Sequence, residues 1–139
     1  MKAKQNSRTI IDRYEQPIYP IRNLYVIKNY KKGDIDKKFY QSDIDSIENK
    51  CNPYVATCVL CKRRSDNRAV VLIVLSEGLC KNAKKELIYS VGVCAHEALH
   101  AACFMLRESA DTELTSDTEE SYSYLTEWVT NCAVTTLLK

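Results

Sequence analysis

Glycine and proline are scarce, three of each in 139 residues, which excludes collagen-like architecture and argues against long disordered linkers. No run reaches the ~20 consecutive apolar residues of a bilayer-spanning helix, so no membrane segment is expected. The basic opening M-K-A-K-Q-N-S-R is followed by no apolar stretch and does not read as a secretory signal. Charge of one sign is lacking too. The formal net charge of +2 is too small to imply nucleic acid or an anionic membrane as a partner. Histidine is nearly absent, and the only two residues, His96 and His100, stand four apart.

Cysteine is plentiful by contrast, seven residues, an odd number. Without an export signal these read as thiols in a reducing cytoplasm. Several occupy places suited to small apolar residues, as in V-A-T-C-V-L-C and H-A-A-C-F-M. Cys58-x-x-Cys61 falls in a predicted strand, where residues three apart face opposite sides, and no second pair completes a metal set. Cys103 falls near the histidine face, where packing is the plainer role and a redox or extra-ligand role the other reading.

The length suits one domain, residues 1–139. Residues 1 to about 20 are polar, carry Pro17 and Pro20, and read as an arm or irregular segment. Residues 22–76 form the sheet region. R-N-L-Y-V-I-K-N-Y predicts a strand over 22–30, closed by the turn K-K-G-D. A short amphipathic helix is expected within 40–50, from Ile35, Phe39, Ile44 and Ile47. Two apolar runs, Tyr54–Arg63 and Arg68–Ser76, flank S-D-N and predict a hairpin. The second is apolar without a break from Ala69 to Leu75, which predicts a central strand covered on both faces. K-R-R at 62–64 with Arg68 makes a basic hairpin tip, read as a solvated turn, with an anion or nucleic-acid contact as the other reading.

Residues 84–138 hold two long helices. Leu87, Ile88, Val91, Ala95, Leu99, Ala102 and Leu106 recur at three or four, predicting a helix over 84–106, nearly apolar all round and run through the core. A polar loop follows. The last helix is predicted over 118–138, with Leu125, Val129, Cys132 and Thr136 on one side and Trp128 packed on the core. Asp117 or Thr118 is the expected N-cap. The fold class is therefore α+β.

The histidines sit in C-A-H-E-A-L-H, residues 94–100. Two imidazoles four apart on a helix share a face and can reach one tetrahedral cation. Glu97 points about 100° round the helix. It can sit beside a zinc ion without ligating it and act as general base on an activated water. In an apolar helix all three groups would be costly buried polar residues without partners, and a metal would satisfy them.

A third protein ligand is needed, and no third histidine exists. The last helix offers carboxylates. Glu120, Tyr124, Glu127 and Asn131 form one stripe at spacings of four, three and four, with Glu119 about 100° away. Glu120 is the expected ligand, with Glu127, Glu119 and Tyr124 as supporting or alternative residues and Glu119 otherwise a helix-end residue.

V-C-A-H-E-A-L-H-A-A, with Glu120 twenty residues after His100 and the segment E-S-Y-S-Y beginning there, resembles the zincin metallopeptidases of the gluzincin (HExxH + Glu) type. The resemblance covers about residues 54–138. It implies a minimal zincin core of a small sheet with a hairpin, an HExxH helix and a ligand helix. It implies one Zn²⁺ per chain held by His96, His100 and Glu120, with Glu97 as general base in hydrolysis of a peptide or protein substrate. Tyr124 stands where related enzymes carry Asp or Asn. For the oxyanion stabiliser the chain offers only Tyr122, Tyr124 and Arg107. The short length and the E-E-x-Y-x-Y helix also resemble small phage- or prophage-encoded zincin-like proteins, which implies a virion or host-cytoplasm location. The alternative reading is a zincin-fold structural or binding protein, such as a phage component, whose metal only staples the fold.

Overall fold

The computed structural model describes residues 8–31, 33, 35, 37–40 and 55–139. Four strands, β1 (Ile10–Glu15), β2 (Asn23–Tyr30), β3 (Ala56–Lys62) and β4 (Ala69–Ser76), precede three helices, α1 (Glu77–Asn82), α2 (Leu87–Cys103) and α3 (Glu119–Leu137). The strands lie in the order β1-β2-β4-β3; β2 and β4 run parallel and the two outer pairs antiparallel. This is an α+β fold with one mixed sheet.

The unbroken apolar run of β4 is explained by its place between β2 and β3. Val71, Ile73 and Leu75 point into the core beneath the helices, while Val70, Leu72 and Val74 point into a second core on the other face. Strand alternation divides the cysteines of β3 in the same way: Cys58 packs on the helical core and Cys61 in the other. The second core is closed by Ile35 and Phe39, the Phe39 ring meeting Tyr25 edge-on at 5.2 Å. The helix expected within 40–50 lies, from residue 41 on, outside the described residues.

The hairpin forms as expected, Val59 opposite Leu72 and Lys62 opposite Ala69. Asn67, at φ 59, takes the left-handed turn position that asparagine tolerates. In β2 a register shift between Ile27 and Tyr30 coincides with Asn29 at φ 58, a bulge in the strand. Ser76 ends β4 and caps α1, its Oγ accepting from the Leu79 amide at 3.2 Å.

Two expectations are corrected. Residues 10–15, read as part of an irregular arm, form edge strand β1, paired with β2 from Ile10–Lys28 to Glu15–Asn23. Its inward face is held by polar bonds. Thr136 of α3 donates to Asp12 Oδ2 at 2.8 Å, so the 2.7 Å bond between Tyr14 Oη and Thr136 Oγ1 takes its proton from Tyr14. Lys139 adds an ammonium 2.9 Å from the same Asp12 oxygen.

The second correction concerns α2, which lies on the sheet instead of running through the core. Ser90, Cys94, Glu97, Ala98, Ala101 and Ala102 face inward, while Ile88 is 91% exposed, Tyr89 54% and Leu99 48%. The helix continues as a π-helical turn, Phe104–Glu108, which brings adjacent Met105 and Leu106 both into the core. By length and average composition alone Leu87–Glu108 is apolar enough to cross a bilayer, although Ser90, His96, Glu97 and His100 interrupt its apolar run. Its buried face packs on β3, β4 and α3.

The polar chain Tyr14–Thr136–Asp12 fastens β1 to α3, and Thr136 is wholly buried. Thr136→Val keeps the shape and strands two partners, at a cost of roughly 1–3 kcal/mol. A fall in the urea midpoint at constant m-value checks this, with Tyr14→Phe giving a smaller fall.

Candidate metal centre

The motif lies in the C-terminal half of α2, with His100 in the last α-helical turn before the π-helical turn, so its side chains are placed by helix geometry. His96 and His100 project from the exposed face, ring centroids 5.1 Å apart and planes at 67°. Both imidazoles are thus neighbours with open space before them, as two ligands of one cation require. Glu97 turns the other way and is only 8% exposed. The expectation of three buried polar groups therefore holds for Glu97 alone.

Glu97 lies on the side of α2 that meets β3, close enough to Cys58 for its charge to act on that thiol. No hydrogen bond reaches its carboxylate among the described residues. Burial raises its pKa, partly offset by the charge of His96. Burial likewise holds Cys58 well above the ordinary thiol value and pushes Cys94 up to about 12. Those thiols stay protonated, unsuited to nucleophilic work or ready metal binding.

On the other side of α2 runs α3. Between them lies a groove of about 630 Å³, lined by Leu99, Leu114, Glu119, Tyr122, Ser123 and Glu127, among others. Leu99, the residue before His100, lines it, but neither imidazole does. Glu119 and Glu127 border it, whereas Glu120 is exposed and absent from its lining, and Tyr124 is 67% exposed. Helix α3 is rotated so that Leu125, Val129, Cys132 and Thr136 face the core, as expected, and Trp128 packs at its margin. That rotation turns the Glu119–Ser123–Glu127 line toward α2. Of the stripe Glu120, Tyr124, Glu127 and Asn131, read from spacing alone, Glu127 and Asn131 line the groove while Glu120 and Tyr124 do not; spacing does not say which neighbour a stripe faces.

Thr118 is the N-cap residue, but its hydroxyl bonds within the preceding loop, to Thr115 and Glu113, not to the first turn of α3. Glu119 and Glu120 occupy that turn, where the helix dipole favours carboxylates. Among the described residues, no three His, Cys, Asp or Glu side chains converge as a metal-holding group. The two imidazoles are brought together; the carboxylates of α3 are near the groove but not drawn in. Glu119, Glu120 and Glu127 are all exposed, so changing rotamer costs each of them little.

Of the groups available to an oxyanion, Tyr122 is engaged, donating to the Thr112 carbonyl at 2.6 Å, and Arg107 pairs with Glu108 at 3.3 Å. Sequence reading missed the groove and its Leu99 and Leu114 walls. Periodicity assigned Leu99 to packing, and Leu114 lies in the loop read as polar.

A buried carboxylate without a hydrogen bond destabilises the fold. Glu97→Leu should raise the stability of the metal-free protein at pH 7 by roughly 1–3 kcal/mol. Because the folded-state pKa is raised, the folded protein favours protonated Glu97, and wild-type stability from this group is lost as pH rises through that pKa. Denaturant melts should therefore show the variant's advantage shrinking toward about pH 4.

No protein-family model, curated protein or solved structure matches the chain.

Proposed function

We propose that the protein is a zinc-dependent hydrolase acting on peptide bonds. The observation that carries this reading is the pair His96 and His100, side by side on an open helix face, with Glu97 one residue from the first of them. These residues fit two of the protein ligands and the base of a zinc site; the third ligand is a carboxylate of α3. The spacing argument selects Glu120, and the groove supports Glu119 or Glu127 as its alternates.

Zinc, when bound, supplies a Lewis acid that lowers the pKa of water and polarises a carbonyl. Glu97 takes the proton of the attacking water and passes it to the leaving amine. Its raised pKa suits both acts, since a carboxylate nearer neutrality accepts and releases a proton more evenly. Strand β3 is outermost among the described strands and packs beside α2; Tyr40 bonds its Lys62 end, and the Ala56–Cys61 edge is the part we assign to an extended peptide by strand addition. The groove beside Leu99 suits an apolar substrate side chain.

A second reading, a structural or binding protein whose metal only staples the fold, draws support from the burial of Glu97, since a base must reach water. Purified protein should hold about one zinc per chain by elemental analysis, with His96→Ala and His100→Ala each losing it. Full zinc retention in either histidine variant sinks the site. Glu97→Gln should keep the metal and abolish cleavage of a peptide library. A wild-type protein that binds zinc and cuts no peptide favours the staple.

A further inference from the structure

The hairpin tip closes a second site, on the sheet face away from the helices. A cavity of about 430 Å³ lies there, with Arg13, Lys37, Lys38 and Arg63 in its wall and Asp66 as the one carboxylate among its described lining residues. We propose that this cavity binds the phosphate group of an anionic ligand.

Arg63 is the fixed wall. Its Nε donates to Asp66 Oδ1 at 3.0 Å, its Nη2 pairs with Asp66 Oδ2, and its Nη1 donates to Asn23 Oδ1 at 2.6 Å and to Tyr25 Oη at 2.9 Å. Four of its five N–H donors are occupied, which holds the planar group in one orientation with one donor left. Asp66 is consumed by that pairing; hydrogen bonds from Arg63 lower its pKa to about 2. Because Tyr25 accepts from Arg63, its own proton remains to be donated, and Tyr25 and Ser65 both line the cavity.

Among the described residues the other three cations have no such partner. The side chains of Arg13, Lys37 and Lys38 make no hydrogen bond or ion pair among the described residues. Arg13 stands opposite Tyr25 in the β1–β2 register, so strand pairing aims it at the cavity. The lysines are held by the backbone: Arg64 N–H donates to the Lys38 carbonyl at 2.8 Å, Tyr40 N–H to the Lys62 carbonyl at 3.2 Å, and Phe39 bridges to Arg63. Convergence of unpaired cations repels in the empty site and is repaid by an anion accepting charge-assisted bonds. A second cavity shares Arg13 and Arg63 and adds Arg22 and Arg68 to its wall, with Glu15 and Glu108. The positive surface thus continues past the first site.

The near-neutral total conceals this local concentration. The phosphate could be carried by a small molecule or by a nucleic-acid backbone, and both present the same group. Calorimetric titration of the full chain with inorganic phosphate, uridine monophosphate and a ten-nucleotide oligothymidylate, at ionic strength matched with chloride, separates them. At least one should bind, and Arg13→Gln and the double variant Lys37→Gln/Lys38→Gln should each weaken it about tenfold with the circular dichroism unchanged. Tighter, steeply salt-dependent binding of the oligonucleotide identifies a backbone site; equal or tighter binding of the smaller anions identifies a single-phosphate site. Binding of none of the three, or binding unaltered in both variants, overturns the proposal.

Discussion

The burial of β4 on both faces is the constraint from which the rest of the molecule follows. A strand apolar at every inner position must be covered twice. One cover is α2 and α3; the other includes Ile35 and Phe39. With β2 and β3 as its hydrogen-bonded neighbours, β3 is left outermost beside α2, and the β3–β4 turn is left at the end of the sheet. The histidine face and the basic cavity are thus products of one strand's composition. They lie on opposite sides of the sheet, which lets each be altered without disturbing the other.

Much of this was legible in the sequence, and the failures have physical causes. The hairpin, the central strand and the buried line of the last helix are written in apolar periodicity, which burial enforces. Strand β1 is not, because its inward residues Asp12 and Tyr14 are held by Thr136 through hydrogen bonds instead of hydrophobic contact. The exposed side of α2 was misread for the converse reason. Ile88, Tyr89 and Leu99 are apolar yet face outward, and composition carries no record of which apolar residues a neighbour covers.

The motif was legible as chemistry but not as orientation. His96, Glu97 and His100 are adjacent in sequence, yet the fold sends two outward and one inward. A 100° step per residue makes that division unavoidable once the helix lies flat on a sheet. The inward carboxylate meets an apolar wall and Cys58, an energetic penalty that a purely structural sequence would be free to shed. Which carboxylate of α3 faces α2 depends on how α3 rolls against it, and roll is set by the core residues on its far side, not by the carboxylates.

Tyr14, Asp12 and Thr136 join positions 122 and 124 residues apart. During synthesis β1 leaves the ribosome more than a hundred residues ahead of its seal. Over that interval the inner face of β1 is unlatched, and that face carries a carboxylate and a phenol. A hydrophobic strand in the same position would offer a sticky edge for the whole of that interval; a polar one waits in water at little cost. The hydrogen-bonded fastening that hid β1 from hydropathy is thus also a safeguard for an unfinished chain.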